Sequence, residues 1–140
     1  MSDLAKRAIA CKGWRWMPGM RGHDRGKTFV VISAARDSYT VRFDLPVKQP
    51  RRRRPLDLWR FERSGGPPAL PDLTDPATLG CFLALVAQAH GVSLDDAQVV
   101  RTTGRVWSVW VFRPDGSPWR VATHEPSRDE ALVVALEAAP

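Results

Sequence analysis

Prolines divide this chain into two halves that cannot share one long regular element. Six of its twelve prolines fall between residues 45 and 72, and each proline fixes φ and removes a backbone hydrogen-bond donor. We therefore expect a Pro/Arg-rich irregular insertion around 45–72 within a single domain of 140 residues. Alternating apolar residues over 58–63 predict one short strand inside it, at the edge of a sheet.

The second half predicts a helix, three strands and a helix, in that order. Asp75 and Pro76 form a cap and first turn, and helical spacing of apolar residues continues to about residue 90. Strands follow at 97–101, 106–112 and 119–123, and a capping box at Ser127 begins the last helix. In the middle strand, Trp107, Val109 and Val111 should share one face. The other face should carry Val106, Ser108, Trp110 and Phe112.

The first half predicts one helix and a hairpin. Residues 3–11 are typical of a short helix, 14–16 of a short strand, and the polar, glycine-rich stretch 21–27 of a loop. A hairpin is predicted over 28–44, with Tyr39, Val41 and Phe43 on one face. The fold class is therefore α+β, an antiparallel sheet packed with two to three helices, from which the basic loop around 45–65 projects.

Charge is the main functional signal. Residues 1–64 hold 16 Lys/Arg against 6 Asp/Glu, whereas residues 65–140 hold 5 against 9, within a total of 21 against 15. Net charge bears on partners and association rates rather than on the fold. The basic half therefore indicates a polyanionic partner or an acidic protein surface.

The strongest candidate contacts are arginines and one tryptophan of this half. Proline-flanked arginines stay extended and direct their guanidinium groups toward phosphates or carboxylates. Tryptophan interleaved with arginine is typical both of single-strand binding and of protein–protein hot spots. At least one of Trp14 and Trp16 should instead lie in the core. The candidate partner or polyanion contacts are Arg51, Arg52, Arg53, Arg54, Arg60, Trp59, Arg15 and Arg21.

Catalytic and metal-binding patterns do not stand out. The three histidines are scattered, and the sequence has no Cys-x-x-Cys, phosphate loop or nucleophile elbow. We therefore expect no enzymatic activity, no cofactor and no metal. A small hydrolase centred on His23 and Asp24 is the weakest alternative. Cys11 and Cys81, far apart in a chain that begins without a secretory h-region, indicate reduced thiols and the cytoplasm.

Three segments carry a resemblance to a group of known proteins. These are CKGWRWMPGM from residue 11, PDLTDPATLGC from residue 71, and EALV from residue 130 to the end. With them, the chain resembles small, largely uncharacterised phage and prophage proteins of the α-β-α sandwich type. The resemblance implies a phage accessory protein made in the bacterial cytoplasm, which acts by binding.

Two functions therefore stay open at this point. The first is a non-enzymatic accessory protein that binds a host protein or nucleoprotein complex and inhibits a bacterial defence system of the CRISPR type. The second is a nucleic-acid-binding module that contacts DNA or RNA directly with the same residues. No membrane span is expected, and the chain would be a monomer or a homodimer.

Overall fold

The computed structural model describes residues 2–36, 38–44, 58–62, 69–102 and 104–140, and of strand 58–62 it describes only the side chain of Arg60. The helices are α1 (Ser2–Ala10), α2 (Pro76–Ala89) and α3 (Arg128–Glu137). The first strands are β1 (Arg21–Asp24), β2 (Lys27–Ala34), β3 (Ser38–Phe43), β4 (Leu58–Glu62) and β5 (Leu70–Pro71). The last strands are β6 (Ala97–Thr102), β7 (Val106–Phe112) and β8 (Pro118–Glu125).

Two antiparallel sheets confirm the α+β class and the α-β-β-β-α order of the second half. The N-terminal sheet has the order β4-β3-β2-β1-β5, which places the predicted strand β4 at an edge. The C-terminal sheet has the order β6-β7-β8. Every recorded strand pair in both sheets is antiparallel.

The helices pack on the inner faces of these sheets. Helix α3 contacts β7 and β8, and α2 contacts β6 and α3, as the apolar spacing predicted. Helix α1 contacts α3 and β5. One continuous set of buried side chains joins both halves of the chain, and it includes Phe29 and Val41 of the N-terminal sheet and Val109 and Val111 of the C-terminal sheet.

The helix starts follow from their caps. The Asp75 carboxylate accepts hydrogen bonds from the backbone N–H and the hydroxyl of Thr78, both at 2.8 Å. Ser127 Oγ accepts a bond from the Glu130 N–H at 3.3 Å. Each bond satisfies an N-terminal donor that the helix itself leaves unpaired. Thr78 Oγ1 also accepts a 2.8 Å bond from the Arg21 N–H, which ties α2 to β1.

Three local predictions were wrong. The predicted loop 21–27 contains strand β1, which joins β2 through a two-residue turn. The predicted strand 14–16 has no regular structure, and its tryptophans pack as a loop between β2 and α2. Strand β5 lies in the stretch predicted to be irregular, because Gly22 and His23 of β1 pair with Pro71 and Leu70.

The helices pack on one side of each sheet in the described part of the chain. Among the described residues, the helices contact the inner side of the structure, and no helix covers the outer face of either sheet. Each sheet therefore presents one face outward. No helix in the described part of the chain combines the length and the apolar character needed to cross a membrane.

Candidate functional site

The outer face of the N-terminal sheet carries a cluster of basic side chains. Buried Tyr39 and Val41 alternate with Thr40 and Arg42, so Thr40 and Arg42 point away from the core. The register places Arg60 opposite Thr40 and pairs Val30 with both Arg21 and Arg42. We call the exposed basic residues of this face and its adjoining turn the basic face, and its members are Arg21, Arg25, Lys27, Arg42 and Arg60.

A tight turn positions one end of this face. Asp24 and Lys27 pair across the two-residue connection Arg25-Gly26, and both central residues have positive φ, at 48° and 79°. Positive φ at both positions is the geometry of the turn that suits the twist of a hairpin. The turn therefore holds the exposed Arg25 and Lys27 at the tip of the β1–β2 hairpin.

Only part of this charge is neutralised inside the protein. Arg21 Nη1 donates to Asp44 Oδ2 at 3.1 Å, and Arg21 Nε lies 4.0 Å from Asp75 Oδ1. Asp44 Oδ2 also accepts a 3.1 Å bond from the Thr28 hydroxyl. Among the described side chains, no carboxylate pairs with Arg25, Lys27, Arg42 or Arg60. The face therefore presents four cations without a described counter-ion.

The predicted arginine run lies outside the described residues. Arg51, Arg52, Arg53 and Arg54 belong to the segment between β3 and β4. The described residues that flank this segment lie at the same end of the sheet as the β1–β2 turn, because Asp44 N–H donates to the Thr28 carbonyl and Arg42 pairs with Leu58.

The other predicted contacts are divided between places. Arg21 and Arg60 belong to the basic face. Arg15 does not, because its Nη2 donates to Gln88 Oε1 of α2 at 2.6 Å. The backbone of Trp59 pairs with Val41, and its side chain is outside the described part. The structure thus brings together two of the predicted residues and separates Arg15 from them.

Trp14 is a core residue, and Trp16 is a partly buried residue that packs against the core. Trp14 is 8% exposed and its ring lies 5.3 Å from that of Phe82. Trp16 stacks on Tyr39 with ring centroids 5.2 Å apart, and it contacts Phe29 at 5.5 Å. The expectation that at least one of them packs inward is confirmed. On the described outer face of this sheet there is no Phe, Tyr or Trp side chain.

Arg15 instead borders a cleft of about 520 Å³ beside the β2–β3 connection. Its walls include Trp16, Tyr39 and the exposed Arg36. Burial, with a smaller contribution from Asp24, raises the pKa of Tyr39 to about 12. The phenol is therefore neutral at physiological pH.

The histidine dyad predicted for the hydrolase alternative does not form as expected. His23 and Asp24 are consecutive in β1, so their side chains leave opposite faces of the sheet. The nearest carboxylate oxygen to His23 is Asp72 Oδ2, at 3.9 Å from Nε2. Burial raises the pKa of Asp72, but hydrogen bonds from the Thr74 hydroxyl and N–H outweigh it, so this pKa lies below its ordinary value.

The two cysteines are free thiols on different elements. Burial raises the pKa of Cys11 and of Cys81, which keeps both protonated and weakly nucleophilic at neutral pH. Among the described residues, His, Cys, Asp and Glu side chains form no group of three that could hold a metal ion.

Sequence reasoning missed three members of the basic face. Arg25 and Lys27 were assigned to a loop, and Arg42 was placed on the second face of the hairpin without a function. The alternation around Val41 was a sufficient signal for Arg42, since it predicts an outward side chain. No protein-family model, curated protein or solved structure matches this chain.

Proposed function

We propose that this protein acts by binding, and that its basic face contacts the phosphate backbone of a nucleic acid. The observation that carries the proposal is a group of four exposed cations, two on the outer face of the sheet and two at its adjoining hairpin tip, with no described counter-ion. Such charge disfavours the free protein through self-repulsion and is offset when a polyanion binds.

The side chains beside these cations favour phosphate over bases as the contacted group. Thr28, Ser33 and Thr40 lie on the same face, and Arg with Ser/Thr is the usual set of donors to phosphate oxygens. With no Phe, Tyr or Trp side chain on the described part of this face, stacking of bases is limited there to the His23 imidazole. Binding through this face should therefore depend on charge and salt rather than on sequence.

The expected accessory role fits this mode of binding. A phage-type protein in the bacterial cytoplasm that covers nucleic acid could inhibit a defence complex by competing for its substrate. Inhibition by this route would disappear when the nucleic acid is digested. Inhibition through direct contact with a host protein would survive nuclease treatment.

The test is fluorescence anisotropy with labelled duplex DNA at several salt concentrations. We expect the double variant Arg42→Ser/Arg60→Ser to bind more weakly and its log–log salt slope to fall by about 1.8, at roughly 0.9 per lost phosphate contact. The matched control is Lys6→Ser/Lys12→Ser, which removes the same charge from exposed residues elsewhere. The proposal fails if both variants weaken binding equally, or if the unmodified protein does not bind at near-physiological salt.

A further variant, in which serine replaces Arg51, Arg52, Arg53 and Arg54, measures how much the segment between β3 and β4 contributes to the binding affinity. An additional loss of affinity with a further decrease in slope would extend the contact beyond the basic face. Unchanged binding would confine it to the sheet.

A further inference from the structure

The outer face of the C-terminal sheet is also open, and it is aromatic. Val109 and Val111 of β7 belong to the core, whereas Trp110 and Phe112 are absent from the residues that pack on it. The register adds Val100 and Arg120 to this second face, opposite Ser108 and Trp110. Val100 is 37% exposed, and Trp110 and Phe112 are partly exposed.

An arginine covers the tryptophan of this face. The Arg120 guanidinium carbon lies 4.5 Å from the Trp110 ring centroid, and Arg120 is exposed to solvent. A guanidinium stacked on an indole presents a flat cationic plane outward, and such planes stack on nucleic-acid bases.

Local charge on this sheet is opposite to the net charge of its half of the sequence. Four of the five arginines of residues 65–140 lie on the C-terminal sheet or in its turns, at positions 101, 105, 113 and 120. The acidic residues lie mainly on and before the helices and in the short turns. No described carboxylate belongs to the outer face, since Glu125 pairs with the inward Trp107.

We propose that this aromatic face, formed by Trp110, Phe112 and Arg120, stacks the bases of single-stranded nucleic acid. The inference rests on the proposed function, because both require that the ligand is a nucleic acid. It differs in that the C-terminal sheet would contact the bases, whereas the N-terminal sheet would contact the phosphates. A second copy of the chain is a poorer occupant, because a two-fold interface on this face would bury both Arg120 guanidinium groups in one patch that contains no described carboxylate. A single strand supplies both flat rings and negative charge, which complement the indole and the guanidinium.

The test compares two fluorescent strands of equal length, an oligothymidine and an abasic phosphodiester strand. We expect Trp110→Leu to weaken binding of the oligothymidine about 5- to 100-fold and to leave binding of the abasic strand unchanged. Arg120→Gln should have the same selectivity with a smaller effect. The matched control is Trp119→Leu, since Trp119 also lies under an arginine, with Arg113 at 5.1 Å, but pairs with the inward Val111.

The outcomes separate the two proposals. Selective loss of oligothymidine binding supports the aromatic face, and if Arg42→Ser/Arg60→Ser then has no effect, only the basic face fails. Equal loss for both strands, or equal loss with Trp119→Leu, overturns the aromatic face. The aromatic-face proposal is also overturned if Trp110→Leu binds the oligothymidine as tightly as the unmodified protein. It is overturned as well if the unmodified protein is a dimer in analytical ultracentrifugation and Trp110→Leu is a monomer. Circular dichroism checks that each variant is folded. If Trp110→Leu is unfolded, the binding of the two strands by Arg120→Gln decides whether the aromatic face holds the bases.

Discussion

The two sheets distribute their aromatic residues in opposite ways. The N-terminal sheet turns its rings inward, where Phe29 and Tyr39 pack against Trp16 and leave an outer face of arginine and threonine. The C-terminal sheet has an aliphatic inner face of Val109 and Val111, and it carries Trp110 and Phe112 on the outside. Trp107 and Trp119, which lie on the inward side of this sheet, are the exceptions.

This difference teaches that tryptophan content alone does not locate a binding surface. Where helices are separated from a sheet by a loop, large rings fill the space, as Trp14 and Trp16 do between β2 and α2. Where a helix packs directly on a sheet, as α3 does on β7 and β8, smaller aliphatic side chains suffice. Rings on that sheet are then free to face solvent.

The largest test of this contrast compares one phenylalanine inside with one outside. Phe82 is fully buried and joins Trp14 to α2, so Phe82→Ala should lower the free energy of unfolding by about 3–5 kcal/mol. Phe112→Ala makes the same chemical change on the open face and should cost about 1 kcal/mol or less. Urea denaturation followed by circular dichroism measures both. Equal losses would mean that the aromatic face is packed, and would remove the contrast between the sheets.

A smaller effect tests the close packing of the N-terminal sheet. A Cβ at Gly22 would lie 2.6 Å from Phe29 Cζ, 2.7 Å from Trp16 Cη2 and 2.8 Å from the Leu70 carbonyl oxygen. Gly22→Ala should therefore destabilise the protein by about 1–3 kcal/mol. The control is Gly80→Ala in α2, where nothing lies within 4 Å of the added carbon. This change should be neutral or stabilising by up to about 1 kcal/mol, and thermal unfolding distinguishes the two.

The smallest effect concerns an ion pair that joins the two ends of the chain. Arg7 Nε and Nη2 donate to the two Glu137 carboxylate oxygens at 3.0 and 2.8 Å, which ties α1 to α3. The hydrogen bond from Arg7 lowers the pKa of Glu137 below its ordinary value of 4.5. The stabilisation is therefore present above that value and is lost as the pH falls through the lowered pKa.

Because both side chains are well exposed, Glu137→Gln should cost only about 0.5 kcal/mol at neutral pH. The difference from the unmodified protein should disappear toward pH 3, as measured by urea denaturation across pH. Glu130→Gln, whose carboxylate lies 3.9 Å from Arg7, should have a smaller effect. A difference that grows with acidity would contradict the assigned pair.

Strong periodicity made most of the fold predictable. The alternation in Val106–Phe112, the hairpin over β2 and β3, and the Asp75 cap were all read correctly from local pattern. Strand β1 could not be predicted from the local pattern, because the inward-facing residue between Arg21 and His23 is Gly22, which has no apolar side chain. Trp16 and Phe29 occupy the space that an apolar side chain of β1 would otherwise fill, so the alternation that marks a strand is missing from the sequence.

For the candidate sites, too, some features could be predicted from local sequence patterns and others could not. Charge and alternation were enough to indicate a basic half and to point Arg42 outward. They could not show that Arg15 bonds to Gln88, which lies 73 residues away. Nor could they show that Arg21 pairs with Asp44, whereas Arg60 has no carboxylate partner among the described side chains. These contacts depend on strand order and helix placement, which no local pattern contains.

The sequence by itself determined the class of the fold, the caps, the alternating strands and the excess of positive charge, because each depends on neighbours within a few residues. Only the tertiary structure decided which faces remain open. Burial of a side chain depends on which distant element packs over it, and here the helices pack on one side of each sheet. That choice left arginines exposed on one sheet and a tryptophan under an arginine on the other.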